Sequence, residues 1–263
     1  VYLKKAFNFL RGKGDAFENG RPLMEKRIVK LYAKNNTVPL KVVPGHFATN
    51  HSHVNYYIDM TTLKTRLSEA GSVAASLAGL YMTNTIVDTI VCLDGTQVIG
   101  TLLAQELTRA GYLSMNAHGT IYVVTPEYNS NSQMIFRDNI QPMIQGKHVI
   151  VLMASVTTGI TIRKSMECIS YYGGMLVGIS AIFSAVDEVE GQPVNAVFHK
   201  DDIPDYQSCA MHDCPLCKEG RRIDALETVL DTPSCDKAKK SGFTPLFLIC
   251  ASRPPSYAAA HTR

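Results

Sequence analysis

The chain has no apolar run of the roughly 18 to 20 residues that a membrane-crossing helix needs. Its longest candidates are broken by Asp94, by Lys147-His148 and by Asp187-Glu188. No short apolar segment followed by a small-residue cleavage site opens it, so no secretory signal is expected. There is no disulfide framework either: seven cysteines is an odd number, and only Cys209, Cys214 and Cys217 cluster. Cys92 and Cys168 sit inside apolar patterns and read as small buried hydrophobes. That usage fits a reducing compartment, and the expectation is a cytoplasmic protein with no membrane partner. GxSxG and HxxxH patterns, a recognisable Ser/His/Asp arrangement, a P-loop lysine and internal repeats are all missing, which removes the common hydrolase, metallopeptidase, nucleoside-triphosphatase and solenoid readings.

A strong excess of one charge is missing too. The formal charge is +3, but residues 1–23 hold five Lys/Arg against two acids and residues 229–263 hold the same. The remaining 16 basic and 19 acidic residues give the body, 24–228, a net charge of −3. A mildly acidic body argues against a nucleic-acid partner, whose phosphates demand a basic face.

What is present is enough for one sizeable domain: 263 residues, 46% hydrophobic and 19% charged. Residues 1–23 read as a disordered or non-native extension and 229–263 as a disordered tail. MEKRIVKLYAK, from Met24, reads as an amphipathic helix with Ile28, Val29 and Leu31-Tyr32 near one side. Beyond it the chain alternates. Strands are expected at 85–93, 119–124, 148–155 and 175–185, and helices at 97–111 and 161–174. TPEYNSNSQMIFRDN, 125–139, reads as a polar loop or hairpin. Strands alternating with helices of this length predict an α/β fold, a parallel sheet with helices on both faces.

Ligands of open α/β sheets sit beyond the carboxyl ends of the strands. Two strand ends here carry suitable turns, Asp94-Gly95-Thr96-Gln97 and Ser155-Val156-Thr157-Thr158-Gly159-Ile160-Thr161. The second leads into a helix, whose first N–H groups and dipole favour an anion. Thr157-Thr158 with Gly159 equally suits a plain helix cap and turn, and the residues alone leave both readings open.

VIVLMASVTTGIT resembles the phosphoribosyl diphosphate signature of the type I phosphoribosyltransferases: four apolar residues, two acids, two variable residues, then T-T-G-x-T/S. LDGTQVIGTLLAQEL resembles that family's upstream pyrophosphate loop. HVNYYIDM, 53–60, and CPLCKEG, 214–220, resemble segments of its orotate phosphoribosyltransferase branch. The four segments come in the family's order over 24–228. The resemblance implies a hood at about 24–62, a core at about 63–190 with five parallel strands, and a Cys-containing segment at 191–228. It further implies a homodimer and a Mg²⁺-assisted transfer of phosphoribosyl from phosphoribosyl diphosphate to a nitrogenous base. Ser155 to Thr161 would hold the 5′-phosphate and Asp94 to Gln97 would face the pyrophosphate. Asp94 and Arg137 are the candidate catalytic residues.

Two departures stand against activity. The family's acidic pair falls on Met153 and Ala154, which cannot accept hydrogen bonds from ribose hydroxyls. The mobile basic loop of the orotate enzymes corresponds to 123–139, which holds only Arg137. Asp94, Asp187 and Glu188 are the candidate replacement carboxylates. The alternative expectation is therefore a regulatory protein that binds phosphoribosyl diphosphate or a nucleotide without turning it over.

Cys209, His212, Cys214 and Cys217 together supply enough nitrogen and sulfur for a tetrahedral zinc site. A single Cys-x-x-Cys pair is not by itself a zinc signature. His46, His51 and His53 read as a polar hood loop, and Tyr56-Tyr57 as core packing.

Overall fold

Alternate residues of one strand show how the molecule is layered. Along β10 (His148–Val156), Val149, Val151 and Met153 enter one hydrophobic core, while Ile150, Leu152 and Ala154 enter another. Side chains alternate across a strand, so burial on both sides means that both faces of the sheet are covered. The computed structural model describes residues 17–18, 21–22, 27–32, 38–49, 52–109, 114–117, 119–131 and 133–226. The expected tail, 229–263, lies outside these residues. Within the expected extension, 1–23, only β1 (Phe17–Glu18) and β2 (Arg21–Pro22) are described, and they pair antiparallel.

A hood sheet comes first in the chain: β3 (Val29–Tyr32), β4 (Pro39–Ala48) and β5 (His53–Asp59). Two helices follow, α1 (Thr61–Thr65) and α2 (Leu67–Ala78). Next come β6 (Thr89–Cys92), α3 (Gln97–Arg109) and β7 (Tyr122–Val124), then a hairpin of β8 (Glu127–Tyr128) and β9 (Met134–Ile135). Beyond β10 lie α4 (Ile160–Tyr171), β11 (Met175–Ser184), β12 (Glu188–Val189) and β13 (Gln192–His199). The described chain closes with β14 (Ser208–Cys209), α5 (Pro215–Lys218) and β15 (Ala225–Leu226).

The central sheet has the order β12-β13-β11-β10-β6-β7. Five of its strands are mutually parallel and β12 is antiparallel at the edge, so the expected parallel α/β core is present. Helices α2 and α3 cover one face through Val73, Leu77, Ile99 and Leu103, and α4 covers the other through Ile162 and Ile169. The strands and helices read from the sequence between residues 85 and 185 form within a few residues of the expected bounds. The polar segment 125–139 contains the β8–β9 hairpin.

The hood sheet, ordered β14-β5-β4-β15 with β3 also on β4, joins the N-terminal strands to the C-terminal segment. Its Leu40 and Val42 belong to the same core as α2 and the central sheet, while Val43, Phe47 and Val54 form a small cluster of their own. The helix expected from Met24 onward is overturned where it is described. Val29–Tyr32 is a strand, and Leu31 alone of its residues packs against the core. Pairing along β4, with Val29 opposite Val42 and Leu31 opposite Leu40, overrides a helical periodicity that eleven residues state only weakly.

Candidate functional site

The end of β10 turns into α4 through Thr157, Thr158 and Gly159. Gly159 is the N-cap, with φ 74°, a left-handed conformation that glycine adopts without strain. Val189 packs behind it: a Cβ at position 159 would lie 2.7 Å from Val189 Cγ2. The first helical bond runs from the Arg163 N–H to the Gly159 carbonyl, 3.0 Å. The amides of residues 157–162 donate to no backbone carbonyl among the described residues. The hydroxyls of Ser155, Thr157, Thr158 and Thr161 likewise have no hydrogen-bond partner there. All four of these residues are half-buried, so unpaired donors line the bend at the start of a twelve-residue helix. A helix start of this kind favours an oxyanion through aligned N–H groups and the positive dipole end. Arg163 on the first turn is ion-paired with Glu190 at 2.9 Å.

The second turn leaves the neighbouring strand. β6 and β10 are parallel, with Cys92 beside Leu152, so both turns emerge at the same carboxyl edge. The Leu93 N–H donates to the Leu152 carbonyl at 2.8 Å. Buried Thr96 donates its hydroxyl to the carbonyls of Leu93 (2.8 Å) and Leu152 (3.1 Å), which ties the two turns together. Its hydroxyl is thus committed to the fold, while Gly95 and Gln97 are exposed and Asp94 is half-buried. Asp94 and Gly95 are successively left-handed, with φ 52° and 76°, a conformation Asp tolerates better than most side chains. Lys64, in α1, donates to the Asp94 carbonyl at 3.0 Å. Sequence reading missed this cation, because 30 residues separate Lys64 from the turn and nothing local marks it.

The departures keep their meaning in three dimensions. Met153 and Ala154 are both buried and point into opposite cores, so neither offers a polar atom to the site. Arg137 is paired with Glu127 at 2.6 Å across the foot of the β8–β9 hairpin. Asp187 is 81% exposed and 4.0 Å from Lys200 Nζ, and Glu188 opens the exposed β12 turn.

The proposed metal set is only half assembled. His212 is 81% exposed and contacts Asp213 at 3.1 Å, away from the cysteines. The Cys209 thiol points to the His53 carbonyl at 3.6 Å, and burial together with the neighbouring Cys214 pushes it up to about 11. Cys214 and Cys217 instead converge with His46 and His53. Burial pushes the Cys214 thiol up, but N–H groups of Cys217 and Leu216 and the adjacent thiols outweigh it, so the thiol lies below its ordinary value. Burial and the ring of His46 lower the His53 value. The substitution of two histidines for Cys209 and His212 has a topological cause: the β4–β5 hairpin lies against the C-terminal segment, a contact that linear spacing does not encode. His51 lies outside the described residues. Tyr57 packs on Phe47, with ring centroids 5.8 Å apart, and Tyr56 packs against the main core.

No protein-family model matches the chain, and no curated protein matches it. Solved structures do. Orotate phosphoribosyltransferase from Mycobacterium tuberculosis shares 15% identity, with 62% of this chain and 91% of that chain covered and a TM-score of 0.44. UMP synthase from Leishmania donovani shares 19%, with 60% and 33% covered and a TM-score of 0.45. Adenine phosphoribosyltransferase from Thermoanaerobacter pseudethanolicus shares 13%, with 67% and 97% covered and a TM-score of 0.42.

Proposed function

We propose that this protein is a phosphoribosyltransferase that binds phosphoribosyl diphosphate and passes its phosphoribosyl group to a nitrogenous base of the orotate type. One observation carries the reading: a bend with unpaired amides at residues 157–162 and unpaired hydroxyls at Ser155, Thr157, Thr158 and Thr161 shares a sheet edge with the Asp94–Gln97 turn. Amides of residues 157–162 and the hydroxyls of Thr157, Thr158 and Thr161 would hold the 5′-phosphate, each charge-assisted bond contributing about 1.5–3 kcal/mol. The diphosphate would extend toward Asp94 and Gly95, where Lys64 brings a positive charge.

In the transfer, a base nitrogen forms a bond to the ribose anomeric carbon. The carbon–oxygen bond to pyrophosphate breaks, and the leaving group takes the electron pair. Cations near the departing oxygens stabilise the charge that develops. Lys64, beside the Asp94 turn, would serve that task. Mg²⁺ characteristically uses one or two carboxylates together with substrate phosphates, and Asp94 supplies a carboxylate at this turn. When bound, the ion would add neutralisation of the diphosphate charge. A homodimer belongs to the same proposal, and light scattering on the purified chain tests it.

The second reading, binding without transfer, has its own support. Met153 and Ala154 are buried apolar residues, and Arg137 is already paired with Glu127. The full chain, given phosphoribosyl diphosphate, Mg²⁺ and a panel of bases including orotate, separates the two. Base-dependent pyrophosphate release is expected of the transferase. Saturable binding without release over the panel leaves the second reading, and absence of binding ends both.

A further inference from the structure

Four side chains from three separate stretches of chain meet on one face of the hood sheet. His46 lies in β4, His53 in β5, and Cys214 and Cys217 at the N-terminus and within α5. A β-bulge does the aiming. Pro44 opposes Tyr56, but Phe47 opposes Val54, so β4 holds one extra residue between them. Without it His46 would stand opposite Val54, on the other face. The shift of one residue brings His46 to the face that carries His53. Gly45 permits the bulge to close on its neighbour, since a Cβ there would lie 2.6 Å from Asp224 Oδ2.

His46 Nε2 is 3.1 Å from His53 Nδ1, 3.4 Å from Cys214 Sγ and 3.6 Å from Cys217 Sγ. Cys217 Sγ is 3.3 Å from His53 Nδ1, and all four atoms lie within 4.8 Å of one another. Hydrogen bonding does not account for this arrangement. His46 Nδ1 faces the Arg221 carbonyl at 2.9 Å, so the ring proton sits there and Nε2 keeps one in-plane lone pair. Three neighbours crowd around that single acceptor. A tetrahedral ion with Zn–N about 2.0–2.1 Å and Zn–S about 2.3 Å has N–N edges of about 3.4 Å and N–S edges of about 3.6 Å. Four of the six edges, at 3.1, 3.3, 3.4 and 3.6 Å, are close to those of such a tetrahedron, and the other two are within 4.8 Å.

We propose that His46 Nε2, His53 Nδ1, Cys214 Sγ and Cys217 Sγ bind one zinc ion in a closed Cys₂His₂ site. Two thiolates and two imidazoles in tetrahedral array select zinc. Four protein ligands leave no open position, so the site is structural. The Arg221 carbonyl orients His46 from behind, as outer partners of metal-bound histidine do. Around it the backbone is locked: the His46 N–H donates to Asp224 Oδ2 at 2.9 Å, and the Asp224 N–H to the His46 carbonyl at 2.7 Å. Cys217 is exposed and gives the ion a way in, while His46, His53 and Cys214 are buried. The ion would clamp the β4–β5 hairpin to a segment more than 160 residues later in the chain. A sheet whose own cluster is Val43, Phe47 and Val54 has little apolar burial to hold that segment otherwise. This inference is independent of the transferase reading.

Metal analysis of the full chain purified without added metal is the test, backed by Co²⁺ exchange. About one zinc per chain is expected. The cobalt form is expected to show the visible bands and thiolate charge-transfer absorption of a tetrahedral S₂N₂ site. Cys209→Ser and His212→Ala are expected to keep full occupancy, while His46→Ala and Cys214→Ser lose it. Should either of the latter fail to fold, the cobalt spectrum of the unaltered chain still decides. Absence of zinc with no cobalt uptake overturns the proposal, as does metal that is lost in C209S or H212A and kept in H46A.

Discussion

The bend after β10 and the histidine–cysteine cluster of the hood are built in opposite ways. The first is made of main-chain donors and hydroxyls within eight consecutive residues, Ser155 to Ile162. The second is made of side chains, with Cys214 168 residues from His46. A backbone site tolerates changes of side chain as long as the turn survives, and its residues lie together in the sequence, where they can be read. A side-chain site fails with the loss of one ligand and is invisible until the chain is folded. The two regions therefore call for different experiments.

Removing the ion should have the largest effect. For a ligand present at a thousand times its dissociation constant, removal costs about 4 kcal/mol. In a domain of this size that lowers the melting midpoint by roughly 8–16 °C. Strong chelation is expected to produce that drop in the unaltered chain and none in C214S, as followed by thermal melts. Equal response of both would dissolve the contrast between the regions.

Gly159→Ala comes next. It forces a side chain into a left-handed residue, about 1–2 kcal/mol, and against Val189, about 1–3 kcal/mol more. Denaturant unfolding should show a loss of about 2–5 kcal/mol, with binding of phosphoribosyl diphosphate lost and zinc retained. Retained binding would mean that the bend does not hold the phosphate.

Thr158→Ala and Lys64→Ala sharpen the same side of the comparison with little effect on folding. T158A should weaken binding about tenfold to a hundredfold, the equivalent of one charge-assisted hydrogen bond of about 1.5–3 kcal/mol. K64A should weaken it severalfold at low salt and less at high salt, since half-exposed charges are screened. Calorimetry at two ionic strengths checks both.

The smallest effect concerns the other end of the sheet. Burial pushes the Asp88 carboxyl up, but bonds from the His148 backbone N–H and ring, 2.8 Å each, and nearby positive charge hold it below its ordinary value. A lowered folded value stabilises the fold above the unfolded carboxylate value of about 3.9 and is lost as pH falls through the folded one. D88N should cost about 1 kcal/mol at neutral pH, a modest figure because the pair is partly exposed. The difference from the unaltered chain should vanish in strong acid.

How much was legible follows from the same contrast. The central strands and α3 and α4 announce themselves, because burial on both faces leaves unbroken apolar runs and one-sided helices leave a 3.6-residue period. Helix α2 went unread although Leu67, Ala70, Val73-Ala74 and Leu77-Ala78 keep that period; alanine and glycine dilute its hydrophobic signal. Strand β13 was hidden by Pro193 and Asn195 in an otherwise alternating run. The turns at the carboxyl edge were found from their residues, but Thr96's inward hydroxyl and Lys64's approach depend on packing between elements. Half of the histidine–cysteine cluster was visible as Cys214-x-x-Cys217. The other half needed the β4 bulge, which no spacing rule reports.

The most direct test of the oxyanion seat is an amide-resolved NMR titration with ribose 5-phosphate, which carries the 5′-phosphate and no leaving group. The amides of Thr157 through Ile162 should shift together and saturate, with the hood amides around His46 still. Saturable shifts confined to other residues, or no shifts at millimolar ligand, would contradict a phosphate seat at the start of α4.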